Sequence, residues 1–204
     1  MTQEQTSKQG KPWPVIIMLS MLLFVFIAGY VLSPRTEDGK LWWVDILGTT
    51  NHGILLNPVV ELSDGDLLTE SGAQWPAMNN STFKLVVIHR GFCEQRCQDM
   101  LHSTRQLHVR LNRDYKDVER GYLFMDASVE AATGAISEWP DYSLLTLGNT
   151  RLLEGLAATG ISISNESPIL LLINPINIGM LVYTAEHSGS EVLEDLEHVL
   201  ELAR

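Results

Sequence analysis

The stretch FKLVVIHRGFCEQRCQDML, residues 83–101, changes its hydrophobic period halfway along. Its first eight residues, Phe83–Arg90, are β-branched and almost continuously apolar, as a strand buried on both faces would be. After them the spacing becomes helical: Cys93, Cys97, Leu101, Thr104, Leu107 or His108, and Leu111 follow in steps of three and four, one stripe of a helix. The expectation is a buried strand leading directly into an amphipathic helix, with both cysteines of the chain at the junction.

The flanking sequence extends this pattern. VVELSDGDLLT, residues 59–69, has two short apolar stretches around Ser-Asp-Gly-Asp and reads as a hairpin. VERGYLFMD, residues 118–126, reads as a strand, and the following stretch, residues 127–148, as a long loop suited to interaction. Residues 150–160 read as a helix stopped by glycine. PILLLINP, residues 168–175, and GMLVYTA, residues 179–185, read as two strands joined by a short turn and therefore antiparallel. The chain closes on an amphipathic helix in which Ser188 and Glu191 have capping-box spacing and Val192, Leu193, Leu196, Val199 and Leu200 form the buried face. From Phe83 onward the order is strand, helix, strand, helix, strand, strand, helix. A β-α-β half followed by a β-β-α half is the thioredoxin arrangement, an α/β fold whose site lies where the first strand meets its helix.

The cysteines sit four apart, Cys93 and Cys97. One helical turn apart, their Cα atoms are roughly 6 Å from each other, inside the span of about 4.4–6.8 Å that a disulfide bridges. They can pair, or both can grip one soft ion. Cys93 falls at or just before the helix start, where free N–H groups and the helix dipole favour a thiolate; Arg96 adds to this and Glu94 opposes it. In an exchange reaction Cys93 would attack and Cys97 would resolve. Two reduced core thiols, or a permanent staple, remain open as the bland reading. A zinc site lacks the second Cys/His pair that such spacing requires.

The chain of 204 residues is 45% hydrophobic and 19% charged, enough for a core and too apolar for global disorder. A formal net charge of −11 excludes a nucleic-acid backbone as partner. No charged residue occurs between Pro12 and Pro34, and the centre of this run, VIIMLSMLLFVFIAGYVL, has the length and apolarity of a membrane span. Trp13 and Tyr30 stand near its ends, where aromatic rings favour the headgroup layer. The run exceeds a signal-peptide core and lacks an Ala-x-Ala cleavage site. The expected organisation is a cytoplasmic tail (1–13), a single N-terminal transmembrane helix (14–33), a linker carrying Trp42 and Trp43 (34–53), and a thioredoxin-like domain (54–204). Lys8 and Lys11 before the span favour a cytoplasmic N-terminus, a single pass through a bacterial inner membrane and a domain in the periplasm, where a disulfide persists.

NPVVELSDGDLLTESG, then FKLVVIHRGFC with the four-apart cysteines, then ILLLINP and a C-terminal helix together resemble the SCO/SenC family. The family's members are membrane-anchored thioredoxin-like proteins of cytochrome c oxidase assembly. The sequence is similar above all to a branch of bacterial cytochrome-oxidase-associated membrane proteins. The resemblance implies thiol–disulfide exchange or Cu(I) handling through Cys93 and Cys97, with oxidase subunits or assembly factors as partners. It also implies a cis-proline beside the cysteines, at Pro168. The departures concern copper. Glu94 and Gln98 replace the two prolines of the family's motif, and GISISNESP, ahead of the third strand, lacks the distal histidine. A third ligand for Cu(I) comes down to His89, Met100 or His102, and of these His89, at the strand end, can reach the cysteines. The sequence assigns no enzyme class. The competing reading is a tethered scaffold with a structural disulfide, contacting its partner through its acidic surface, Trp42 and Trp43, or the 127–148 segment.

Overall fold

The computed structural model describes residues 13–32, 51–75, 81–164 and 167–203. Residues 1–12 of the expected tail, with Lys8 and Lys11 on which the expected orientation rests, and residues 34–50 of the expected linker, with Trp42 and Trp43, lie outside them. The chain divides into two compact units, Met1–Thr50 and Asn51–Arg204.

The first unit contributes helix α1, Trp13–Leu32, 20 residues without a charged side chain. Its described large apolar side chains are exposed, Trp13 at 66% and Tyr30 at 69%. The side chains at 14, 15, 31 and 32 are not described. Among the described residues no helix is long and apolar enough to cross a membrane.

The second unit is a seven-stranded sheet with helices on both faces. The strands are β1 (Ile54–Glu61), β2 (Leu67–Thr69), β3 (Phe83–Arg90), β4 (Val118–Met125), β5 (Ser143–Leu147), β6 (Ile169–Ile173) and β7 (Ile178–Thr184). The helices are α2 (Gln95–Arg110), α3 (Val129–Ala135), α4 (Arg151–Ala158) and α5 (Gly189–Leu202). The spatial order is β1-β7-β6-β3-β4-β5-β2. β3 is central, as its apolar run requires: every residue from Phe83 to His89 is buried. It pairs parallel with β4, after the α2 crossover, and antiparallel with β6. β6 and β7 pair antiparallel, as their short connection requires.

Strand alternation sorts the core into two faces. Phe83, Leu85, Val87, Tyr122, Phe124, Leu170 and Leu172 pack with Cys97, Leu101 and Leu107 of α2 and Val192, Leu196 and Leu200 of α5. Val86, Ile88, Leu123, Leu145, Leu171 and Val182 pack on the other face with Leu152 and Leu156 of α4. The Ser188–Glu191 capping box forms as expected, and Gly160, at φ +80°, ends α4 in the left-handed conformation that glycine adopts freely.

Two expectations need correction. The turn at Ser63–Asp66 forms, with Asp66 accepting from the Ser63 N–H at 2.7 Å. Yet β1 and β2 do not make a hairpin: β1 pairs with β7 and β2 with β5, at opposite edges of the sheet. The turn residues encode the reversal but not the partner of each strand. The stretch read as a loop, residues 127–148, contains α3 and β5. The Ser128 side chain caps α3 by accepting from the Ala131 N–H at 3.2 Å, and β5 runs parallel beside β4.

Candidate redox site

β3 ends at Arg90, and Gly91, at φ +80°, turns the chain out of the sheet. Its N–H donates to the Met125 carbonyl at 2.7 Å, tying the turn to the end of β4. His89, only 1% exposed, lies 2.9 Å through Nε2 from the Phe92 carbonyl. A carbonyl only accepts, so Nε2 carries the proton and donates. The Glu94 N–H meets the same carbonyl at 2.9 Å. The loop that presents the first cysteine is thus pinned at Gly91 and Phe92, while the Phe92 ring projects into solvent at 70% exposure. The nearby Arg90 and Asp126, at the ends of β3 and β4, form an ion pair at 3.0 Å.

Glu94 occupies the N-cap of α2 and no side chain caps the helix there. Cys93 therefore sits immediately before the cap, as the sequence pattern requires. The Glu94 side chain makes no capping bond to the first turn, so it does not compete there with a thiolate. Cys93 and Cys97 are joined in a disulfide with their Cα atoms 5.1 Å apart.

The two sulfurs have unlike surroundings. Cys97 is 1% exposed, whereas Cys93 is only partly buried. Cys97 Sγ is 3.7 Å from the hydroxyl of Tyr122 on β4. A disulfide sulfur has no proton, so the tyrosine O–H is the donor. Burial pushes the Tyr122 hydroxyl up to about pKa 12, which keeps that proton in place across the physiological range. Sequence reading missed Tyr122. Its signal was strand parity: Val118, Arg120, Tyr122 and Phe124 alternate on β4, and the crossover puts that face under α2.

Pro168 is buried at the start of β6. One step beyond the Ile88↔Ile169 pairing sets it beside His89, at the cysteine end of β3. The cis isomer expected there is absent: among the described residues the cis peptide bond is Asn57–Pro58. A proline opening a strand is already accommodated by having no N–H to pair.

The residues do not fit a three-ligand copper site. Among the described residues no three His, Cys, Asp or Glu side chains converge as a metal site would require. Nε2 of His89 is committed to Phe92, and its Nδ1 is buried without a partner. Met100 is buried in the core with α2. His102 is exposed and pairs with Gln106 at 2.6 Å. His187 accepts from the Thr184 N–H at 3.1 Å and donates to the His52 carbonyl at 3.1 Å.

A central strand entering a helix through a cysteine pair, with the β-β-α half on its other side, defines a thioredoxin-like domain with a disulfide at its characteristic junction. The sequence from 83 to 203 matches the family described as transmembrane-like, thioredoxin-like, C-terminal domain, and the chain belongs to that family. No curated protein sequence matches the chain. Among solved structures it is similar to BsSco, a member of the Sco family of cytochrome c oxidase assembly proteins described with a disulfide switch. That likeness has a TM-score of 0.53 at 14% identity, covering 72% of this chain and 95% of that one. Arabidopsis thaliana ScoI with copper bound aligns with a TM-score of 0.50 at 13% identity, over 68% of this chain and 99% of its own. A Chlorobium tepidum protein assigned as thiol:disulfide interchange protein DsbE aligns with a TM-score of 0.50 at 13% identity, over 71% and 96%. These likenesses bear out the thioredoxin-like fold.

Proposed function

We propose that the chain is a membrane-anchored thiol–disulfide exchange protein, acting from the periplasmic side of a bacterial inner membrane in the maturation of cytochrome c oxidase. The observation that carries this reading is the unlike environment of the two sulfurs. Cys93 is partly open at an uncapped helix start, and Cys97 is buried against Tyr122. An incoming thiolate reaches Cys93, the Cys93–Cys97 bond breaks, and the electron pair stays on Cys97. A second thiolate of the partner then expels Cys93. The partner's dithiol becomes a disulfide and this chain's disulfide becomes two thiols. Run in reverse, the same steps reduce a partner.

In this reading the anchor is the uncharged apolar run at residues 14–33, taken from the sequence. The periplasmic side suits a disulfide that must persist. Oxidase maturation rests on likeness to Sco proteins. The copper found with some of them would meet here two thiolates, available only after reduction, with no third His, Cys, Asp or Glu converging on them among the described residues.

The test is oxidase activity in membranes of a host lacking the gene, complemented with the wild-type chain or with Cys93→Ser/Cys97→Ser. Restoration by the wild type and not by the double variant supports exchange. Equal restoration by both would make the chain a scaffold with a structural disulfide.

A further inference from the structure

We propose that Tyr122 is a positioning residue for this exchange: its hydroxyl waits beside Cys97 to receive the negative charge that appears there when the disulfide opens. The inference rests on the exchange reading above. In the closed state the O–H faces a neutral sulfur at 3.7 Å, a weak contact. When a thiolate attacks Cys93 Sγ, a new S–S bond forms, the Cys93–Cys97 bond breaks, and Cys97 Sγ keeps the pair. Cys97 as a whole is 1% exposed, so water is not at hand to solvate the charge. Tyr122 is equally buried, at 1%, and its hydroxyl is the hydrogen-bond partner described for this sulfur. A hydrogen bond to a charged acceptor is worth about twice a neutral one, so the contact strengthens as the charge develops. Cys93, outside the helix and partly open, does not depend on it. The hydroxyl thereby fixes the direction of cleavage, with Cys97 as the leaving sulfur.

The test uses the full chain in detergent micelles, wild type and Tyr122→Phe, with dithiothreitol as the attacking dithiol. The substitution removes one oxygen and keeps the ring. The expected result is disulfide opening slower by about tenfold, from loss of a charge-assisted hydrogen bond. The disulfide/dithiol equilibrium should move about tenfold toward the disulfide, about 30 mV more negative. A purely structural hydroxyl predicts the opposite sign, because a loosened core exposes the bond and opens it faster. Phe124→Leu on the same face is the packing control and should not slow opening. Tyr122→Met, a second variant without the hydroxyl, should reproduce the slowing. Opening of Tyr122→Phe within twofold of wild type, or faster, overturns the role of Tyr122 and leaves exchange standing. A wild-type disulfide that dithiothreitol does not open overturns the exchange reading itself, and this inference with it.

Discussion

The carboxylate of Asp195 accepts the backbone N–H of Gly53 at 2.8 Å, across 142 positions of sequence. The same side chain, 2% exposed, takes the His52 N–H at 3.0 Å and the Tyr183 hydroxyl at 3.0 Å. One residue of α5 thus fastens the first residues of the domain to β7 and the last helix.

Asp195→Ala would strand three buried or half-buried donors. The expected cost is about 3 kcal/mol, or roughly 6–12 °C in the melting temperature of a domain this size. Tyr183→Phe removes one donor and leaves both backbone contacts, so it should cost only about 1 kcal/mol. Thermal unfolding followed by circular dichroism checks both; equal losses would show that the carboxylate is not the centre of the clamp.

The cysteines should react unequally when separated. In Cys97→Ser the remaining Cys93 is partly open and lies just before a helix start that the Glu94 side chain does not cap. In Cys93→Ser the remaining Cys97 is buried. Iodoacetamide, followed by mass spectrometry on the native chain, should label Cys93 at least about tenfold faster than Cys97.

His108 gives the fold an acid-sensitive point. Its Nε2 lies 2.9 Å from the Tyr115 carbonyl and 3.0 Å from the Val118 carbonyl, so this nitrogen carries the proton. Burial, and then the Arg120 guanidinium, lower its pKa from 6.5, with both carbonyls and Asp141 opposing. Below pH 6.5 the unfolded imidazole binds a proton that the folded one resists. The unfolded state then holds more protons, and stability falls as pH drops from 6.5 through the depressed folded value. His108→Gln, which keeps an N–H for the carbonyls, should flatten the loss of urea-unfolding stability as pH falls below about 6.5. A profile as steep as wild type would assign the acid loss to another group.

Two glycines should respond with opposite sign to alanine. A Cβ at Gly148 would run into the backbone carbonyl of Gly65, next to the bond from the Gly148 N–H to the Asp66 carbonyl at 3.0 Å. Gly148→Ala should cost more than about 2 kcal/mol. Gly134, inside α3, has nothing within 4 Å of a built Cβ. Gly134→Ala should gain about 0.5–1 kcal/mol from helix propensity. Chemical denaturation of both variants measures the contrast.

A Cu(I) titration of the reduced chain against a competing chelator tests the ligand count. Binding, where it occurs, should be lost in Cys93→Ser and unchanged in His89→Gln, since the His89 Nε2 is committed to Phe92. Loss in His89→Gln would place the imidazole on the metal.

The parts of the fold with one dominant physical signal were legible in the sequence. β3 was readable because burial on both faces leaves an unbroken apolar run, and α5 because its cap and stripe are local. The partners of β1 and β2 were not, because turn residues specify a reversal without saying which edge receives the strand. β5, SLLTL, is too short and too mixed to stand out from a loop. At the site, the cysteine spacing allowed a disulfide but equally a grip on one soft ion or two reduced thiols, and only the structure shows the bond. Tyr122 lies 25 residues from Cys97 and becomes visible only once β4 is laid beside β3. The isomer at Pro168 was an inference from likeness, and local pattern does not encode it.

The span of the disulfide has a mechanical consequence. The bond links a residue before α2 to one in its first turn. What holds that helix to the sheet lies further along: Met100, Leu101, Thr104 and Leu107. Opening the bond therefore frees one turn of chain and leaves the helix docked. Cleavage of this bond thus demands no unfolding of the domain.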